Sequence, residues 1–235
     1  MAATTPTIKL YTHPLSPWSH RVHIALDELN VPYEQEIVDI TTPRTPEYLK
    51  VNPRGLVPTL SYNGEILTES TIIATFLADT FPSTSKLLPA STDPNGPLTR
   101  AKISLFVDTY FNRVQPIFMM SQRSKSDEER ANGLAEFVDA AAKELDPLLS
   151  DAAPFFGGSS DITLAEVLTG SFIIRAYLLP KHGLLPESLL SDLASKAPNF
   201  DKWANEVVKH PSVVGGIWDE EKIAANIKRR LAAQA

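Results

Sequence analysis

Apolar residues recur along this chain with two different periods, and the switch between them divides it. Ile8-Lys9-Leu10-Tyr11 is a short apolar run with the look of a strand. Beyond it Trp18, Val22, Ala25, Leu26 and Leu29 recur every three or four residues, so Pro17 to Leu29 is expected as a helix with proline at its first position. Tyr33 to Ile40 has β-branched character and reads as a second strand, and Pro46 to Val51 as a short helix. Thr59 to Tyr62, then Asn63-Gly64, then Glu65 to Thr68 form a hairpin pattern around an Asn-Gly turn. Ser70 to Phe81 follows as a helix that turns Ile73, Ala74, Phe76 and Leu77 to a core.

The order so far is βαβ-α-ββα. Pro82, Pro89, Pro94 and Pro97 then fall among Ser, Thr, Asp, Asn and Gly, the composition of a linker. After it every periodic segment is helical: Leu98 to Met120, Asp127 to Leu149, Thr163 to Leu179, Pro198 to Lys209 and Glu220 to Leu231. The expected organisation is an α/β domain over residues 1–85, a linker at 86–97, and an all-helical domain from 98 to 235.

Composition narrows the chemistry. A net charge of −6 disfavours nucleic acid as a partner, because phosphate binding needs a basic face. The basic run Lys228-Arg229-Arg230 reads as a solvated helix end. No stretch reaches the roughly 20 apolar residues of a membrane span, and the opening Met1-Ala-Ala-Thr-Thr-Pro has no signal-peptide pattern, which predicts a cytoplasmic protein with a short frayed arm. The chain has no cysteine, so disulfides, thiolate metal sites and a cysteine nucleophile are excluded. Any thiol must arrive with a ligand. His20 and His23 lie three apart on one helix with no third ligand nearby, and no metal is expected.

Three segments of the first 90 residues resemble the glutathione S-transferase superfamily. Ser16-Pro17-Trp18-Ser19-His20-Arg21-Val22 is similar to its first-helix motif, and Val51 to Leu60 to its N-P-x-G-x-V-P-x-L signature. Leu67-Thr68-Glu69-Ser70 resembles its acidic-serine motif. In the second half Thr163-Leu164-Ala165-Glu166 resembles the family's buried capping box, in which Thr163 caps a helix and Glu166 reaches back to the cap's own N–H. The resemblance implies a thioredoxin-like domain followed by an all-helical one, a cytosolic homodimer joined through residues 72–81 and 98–108, and glutathione as co-substrate.

It also implies residue roles, each beside a plainer alternative. Val57, before a cis Pro58, would pair its backbone with glutathione as an added strand; the plain alternative is an ordinary trans turn. Glu69 would take the γ-glutamyl ammonium and Ser70, at a helix start, the α-carboxylate, or Ser70 simply caps that helix. Arg44 is a candidate for the glycine carboxylate, with Arg54 and Lys50 as fallbacks. Ser16 stands where serine-type classes place the thiol-activating hydroxyl and omega-type members a cysteine, so omega-like disulfide chemistry is not expected. Ser19 is the second candidate, and capping alone is the structural alternative for Ser16. Tyr110, Phe111, Arg113 and Trp218 are candidate walls for a small hydrophobic electrophile, with a core role as the alternative for the aromatic ones. The implied activity is transfer to the glutathione thiol; the alternative is a non-catalytic binding or regulatory module.

Overall fold

The computed structural model describes residues 6–82, 87–124 and 126–232. Residues 1–5 of the expected N-terminal arm and Lys86, the first residue of the expected linker, lie outside them. In the first half, β1 (Ile8–Thr12), α1 (Pro17–Glu28), β2 (Glu34–Ile37), α2 (Pro46–Val51), β3 (Thr59–Tyr62), β4 (Glu65–Thr68) and α3 (Ser70–Thr80) follow the order read from the sequence. The sheet runs β2-β1-β3-β4, with β1 parallel to β2 and antiparallel to β3. Leu10 opposes Leu60, both fully buried, and Asn63 takes positive φ in the turn to β4. β2 is shorter than expected because Asp39 leaves the strand to accept bonds from Thr41 and Thr42.

The second half is helical: α4 (Gly96–Thr109), α5 (Gln115–Ser121), α6 (Asp127–Ala140), α7 (Leu164–Lys181), α8 (Ser188–Lys196), α9 (Pro198–Val207), the short α10 (Pro211–Val214) and α11 (Glu220–Ala232). Two helices expected to be continuous are interrupted. A π turn at Tyr110–Val114 separates α4 from α5, and another at Ala141–Leu145 leads from α6 into a 3₁₀ turn, Asp146–Leu149. Pro116 and Pro147 sit just beyond these turns. A proline has no N–H to give and its ring crowds the carbonyl four residues back, so the preceding turn widens. The sequence reading also missed α8, which buries just Leu189 and Leu193 of its apolar residues deeply.

α7 is the axis of this half. Buried along nearly its whole length, it starts at Thr163 with the expected capping box. Glu166, fully buried, accepts from Thr163 N (2.8 Å) and Oγ1 (2.6 Å), and from Phe156 N (2.8 Å) and Trp203 Nε1 (2.6 Å). One carboxylate therefore ties a second 3₁₀ turn, Phe156–Gly158, to α7 and α9, and four donors offset its desolvation. α1 packs between α3 and α7, so one core is continuous across both halves. That places the N-terminus of α1 where the two halves meet.

Candidate functional site

Ser16 caps α1 from an extended backbone, its Oγ accepting from Ser19 N at 3.2 Å, with Pro17 at the first helical position. Its own N–H is held by the His13 carbonyl at 3.0 Å, and it retains 6% exposure. Since its oxygen accepts from the helix, its proton is left to donate elsewhere. Ser19 is fully buried and its Oγ has no partner, so no solute reaches it without opening the helix.

The Val57–Pro58 bond is cis and directly precedes β3. The loop before it is knitted by Asn52, whose Nδ2 donates to Leu56 O (3.0 Å) and Thr59 Oγ1 (2.9 Å), and by Tyr48, whose hydroxyl donates to Leu56 O. Glu69 holds φ +68, uncommon for a residue with a side chain, and no side chain caps α3. The first N–H groups of α3 are thus left uncapped by any side chain and available to an anion. Ser70 is the first residue of α3, not its cap. Its Oγ accepts from Arg21 Nη1 at 2.9 Å, so here too the hydroxyl proton is free for a ligand.

Val57, Pro58, Glu69 and Ser70 share one cavity of about 210 Å³ with Trp18, Arg54 and Asn52; Ser16 and Ser19 are not in its lining, which reaches α1 at Trp18. Arg54 faces Glu69 across it, Nη1 to Oε1 at 2.5 Å. Arg44 is elsewhere. Its guanidinium donates to the carbonyls of Gly55 (2.8 Å), Asp39 (2.8 Å) and Thr42 (2.6 Å), fastening the loop over α2. Lys50 is exposed and does not line the cavity. Of the cationic candidates, Arg54 is the one in the cavity wall.

Arg21 went unnoticed as a site residue. It is 1% exposed, donates through Nε to Leu168 O of α7 at 2.6 Å, and lies 4.5 Å from the Phe111 ring centre and 5.1 Å from that of Trp18. Burial pushes its guanidinium down to about 9, which leaves it a cation at neutral pH. Arg175 on α7 is likewise buried and pushed down to about 9 by the same cause. The signals were present: Arg21 falls three residues after Trp18, inside the apolar stripe of α1, and Arg175 lies in a helix apolar on every side.

A family model described as glutathione S-transferase, N-terminal domain, matches residues 15–80. A probable maleylacetoacetate isomerase of Caenorhabditis elegans is 30% identical over 172 residues, covering 71% of this chain and 78% of that protein. The chain belongs to the glutathione S-transferase family. Glutathione S-transferase U16 of Arabidopsis thaliana is 28% identical over 212 residues, 89% of this chain and 87% of its own. Among solved structures, glutathione transferase Omega 2C from Trametes versicolor superposes with a TM-score of 0.79 at 28% identity, covering 96% of this chain and 99% of that one. A rice transferase crystallised with glutathione shares the fold, with a TM-score of 0.82 at 23% identity over 99% of this chain and 100% of its own.

In this glutathione S-transferase the four expected electrophile walls do not come together. Tyr110 is 1% exposed and its hydroxyl donates to Gln115 Oε1 at 2.7 Å, so it belongs to the core. Phe111 lines a second cavity of about 380 Å³, which shares Trp18 with the first and also touches Arg21 and Thr71. Arg113 is exposed. Trp218 lies on the other flank of α1, stacked on His20 with ring centres 5.7 Å apart. His20 and His23 turn to different neighbours: His20 to Arg175, His23 to Thr12 Oγ1 (2.8 Å) and the Tyr33 hydroxyl (2.7 Å).

Proposed function

We propose that this protein is a glutathione transferase that presents the glutathione thiolate to a small hydrophobic electrophile. The supporting observation is the convergence of Val57 and cis Pro58 with Glu69 and the uncapped start of α3 around one cavity beside the α1 cap. Val57 pairs with the cysteinyl backbone of glutathione, α3 and Ser70 hold its α-carboxylate, and Glu69 its ammonium while sharing Arg54. Ser16 donates to the sulfur. A hydrogen bond to a charged acceptor contributes about 1.5–3 kcal/mol and a helix N-terminus about 0.3–1 more. Together they match the roughly 2.7 kcal/mol that lowers a thiol pKa by about two units. The rest of the gain is proximity of two bound reactants.

Exposed Ile72 on α3, and Leu98 and Leu105 on α4, support a homodimer through that face. Calorimetry with glutathione, followed by a glutathione-dependent aryl halide assay, tests the reading; no binding would overturn it. The relatives named as maleylacetoacetate isomerases, in Caenorhabditis elegans and Aspergillus fumigatus, support a second reading, an isomerisation that uses the same thiolate. Binding without any turnover would favour the non-catalytic module.

A further inference from the structure

The seam between α1 and α7 concentrates unpartnered polarity. Among the described residues, the buried side-chain polar atoms without a hydrogen-bond partner are Arg130 Nε and five of this seam: Ser19 Oγ, His20 Nε2, Arg21 Nη2, Ser171 Oγ and Arg175 Nη2. Arg21 is still engaged across the seam, by Ser70 and by the Leu168 carbonyl. Arg175 is less well provided for. Its Nη1 donates to Ser171 O of its own helix at 2.6 Å and lies 3.2 Å from His20 Nδ1, and its guanidinium sits 5.2 Å from the centre of the Trp218 ring.

No carboxylate among the described residues pairs with Arg175. From α1, His20 faces it as a neutral ring, burial first and the Arg175 charge second holding it well below the ordinary histidine value, while His23 is turned away to Thr12 and Tyr33. Near α10, His210 is directed to Glu28 at 3.5 Å. From α11, Glu220 is taken by Lys181 and His182 at the far end of α7. A cation kept in the interior with no acid beside it is costly, and perturbed groups of this kind gather at functional sites.

Its position gives it a use. Arg175 lies beside the ring of His20, whose backbone N–H donates to the Ser16 carbonyl at 3.1 Å, so it meets α1 one helical turn from the proposed thiol-activating residue. What covers that flank is Trp218, half-buried in the segment joining α10 to α11. α11 itself docks through a small cluster, Leu178, Ile223 and Ala224 with Leu15, Trp218 and Ile227, of which Trp218 and Ile227 also pack against the main core. Few buried apolar groups hold this cover, which places it among the parts that open most readily.

We propose that Arg175 reads a carboxylate on the second substrate, and that Trp218 covers the guanidinium until this substrate displaces its ring. The inference rests on the glutathione reading above. It assigns the substrate a class, an electrophile bearing a carboxylate beside an apolar body, and it gives the anion-reading role to buried Arg175.

The test compares two aryl halides with the same reacting ring, one neutral and one carrying a carboxylate, as the ratio of their glutathione-dependent kcat/KM. Both rates come from one preparation, so any loss of folded protein cancels. The wild type is expected to favour the carboxylate partner, and Arg175→Met to lower the ratio ten- to hundredfold, the range of one charge-assisted hydrogen bond. Arg175→Lys should keep part of it, and Trp218→Ala should raise the rate on the carboxylate partner. A wild-type ratio near one, or a ratio that Arg175→Met leaves in place, overturns the inference while the transferase reading stands. Absence of both glutathione binding and turnover in the wild type defeats the transferase reading, and this inference with it.

Discussion

Replacing Ser16 by alanine separates two jobs of one hydroxyl. As a cap, its Oγ accepts from Ser19 N at 3.2 Å, and losing a serine cap costs about 1 kcal/mol. For a chain of this size that lowers Tm by about 2–4 °C. As a donor to sulfur, the same hydroxyl is worth about 1.5–3 kcal/mol, or one to two units in the pKa of bound glutathione. The helix N-terminus remains in the variant, so part of the thiolate stabilisation survives. The rate at pH 7 is therefore expected to fall about ten- to hundredfold and to recover as the pH is raised and thiolate forms unaided. A pH profile of kcat/KM reads the second job and a thermal melt the first. A lower Tm with an unmoved profile would show that Ser16 only caps the helix. Ser19→Ala is the contrast: its Oγ is enclosed and unpartnered, so the profile should not move. A shift in the Ser19 variant instead would reverse the assignment.

Glu69→Ala should weaken glutathione binding about tenfold by calorimetry without changing Tm, because Glu69 is half-exposed and its pair with Arg54 adds at most about 1 kcal/mol to stability; equal affinity would remove Glu69 from the site. Glu166→Gln sets an amide NH₂ against two of the four donors on the buried carboxylate. It should cost about 3–5 kcal/mol in urea unfolding, and a loss below about 1 kcal/mol would contradict that account. Stability should also fall as the pH drops from about 6.5 toward 4. Burial pushes His23 down to about 4, so between those values the unfolded chain binds the extra proton. The contribution is full above about 6.5 and is lost as pH falls through the folded value, about 3 kcal/mol at most. His23→Gln should flatten that slope in melts across the range, and an unchanged slope would place the titration elsewhere.

The fold was largely legible in the sequence because its periodic and turn signals were strong. The Asn63-Gly64 hairpin, the proline-led helices at Pro17 and Pro46, and the Thr163–Glu166 capping box each announce themselves through local chemistry that the structure retains. The π turns did not, because Pro116 and Pro147 lie within otherwise helical periodicity and the break appears before the proline, not at it. At the site, local motifs brought Val57, Pro58, Glu69 and Ser70 to one cavity, whereas the choice between Arg44 and Arg54 depended on how a loop folds back on its own carbonyls. For Tyr110 the core alternative is the one that holds, because an aromatic with a hydroxyl looks the same in sequence whether it faces a ligand or Gln115.

The line from Ser70 through Arg21 to the Leu168 carbonyl bears on how such proteins can be recombined. A chimera that joins this α/β half to a relative's bundle keeps every motif of the glutathione groove, yet it changes the environment of the guanidinium that steadies one wall of that groove. A suitable donor must bring a free carbonyl at the position of Leu168 and aromatic rings where Phe111 and Phe172 stand. Drift in the helical half, far along the chain from any recognisable motif, is therefore constrained by an arginine in the first helix, and the two halves are bound to diverge together.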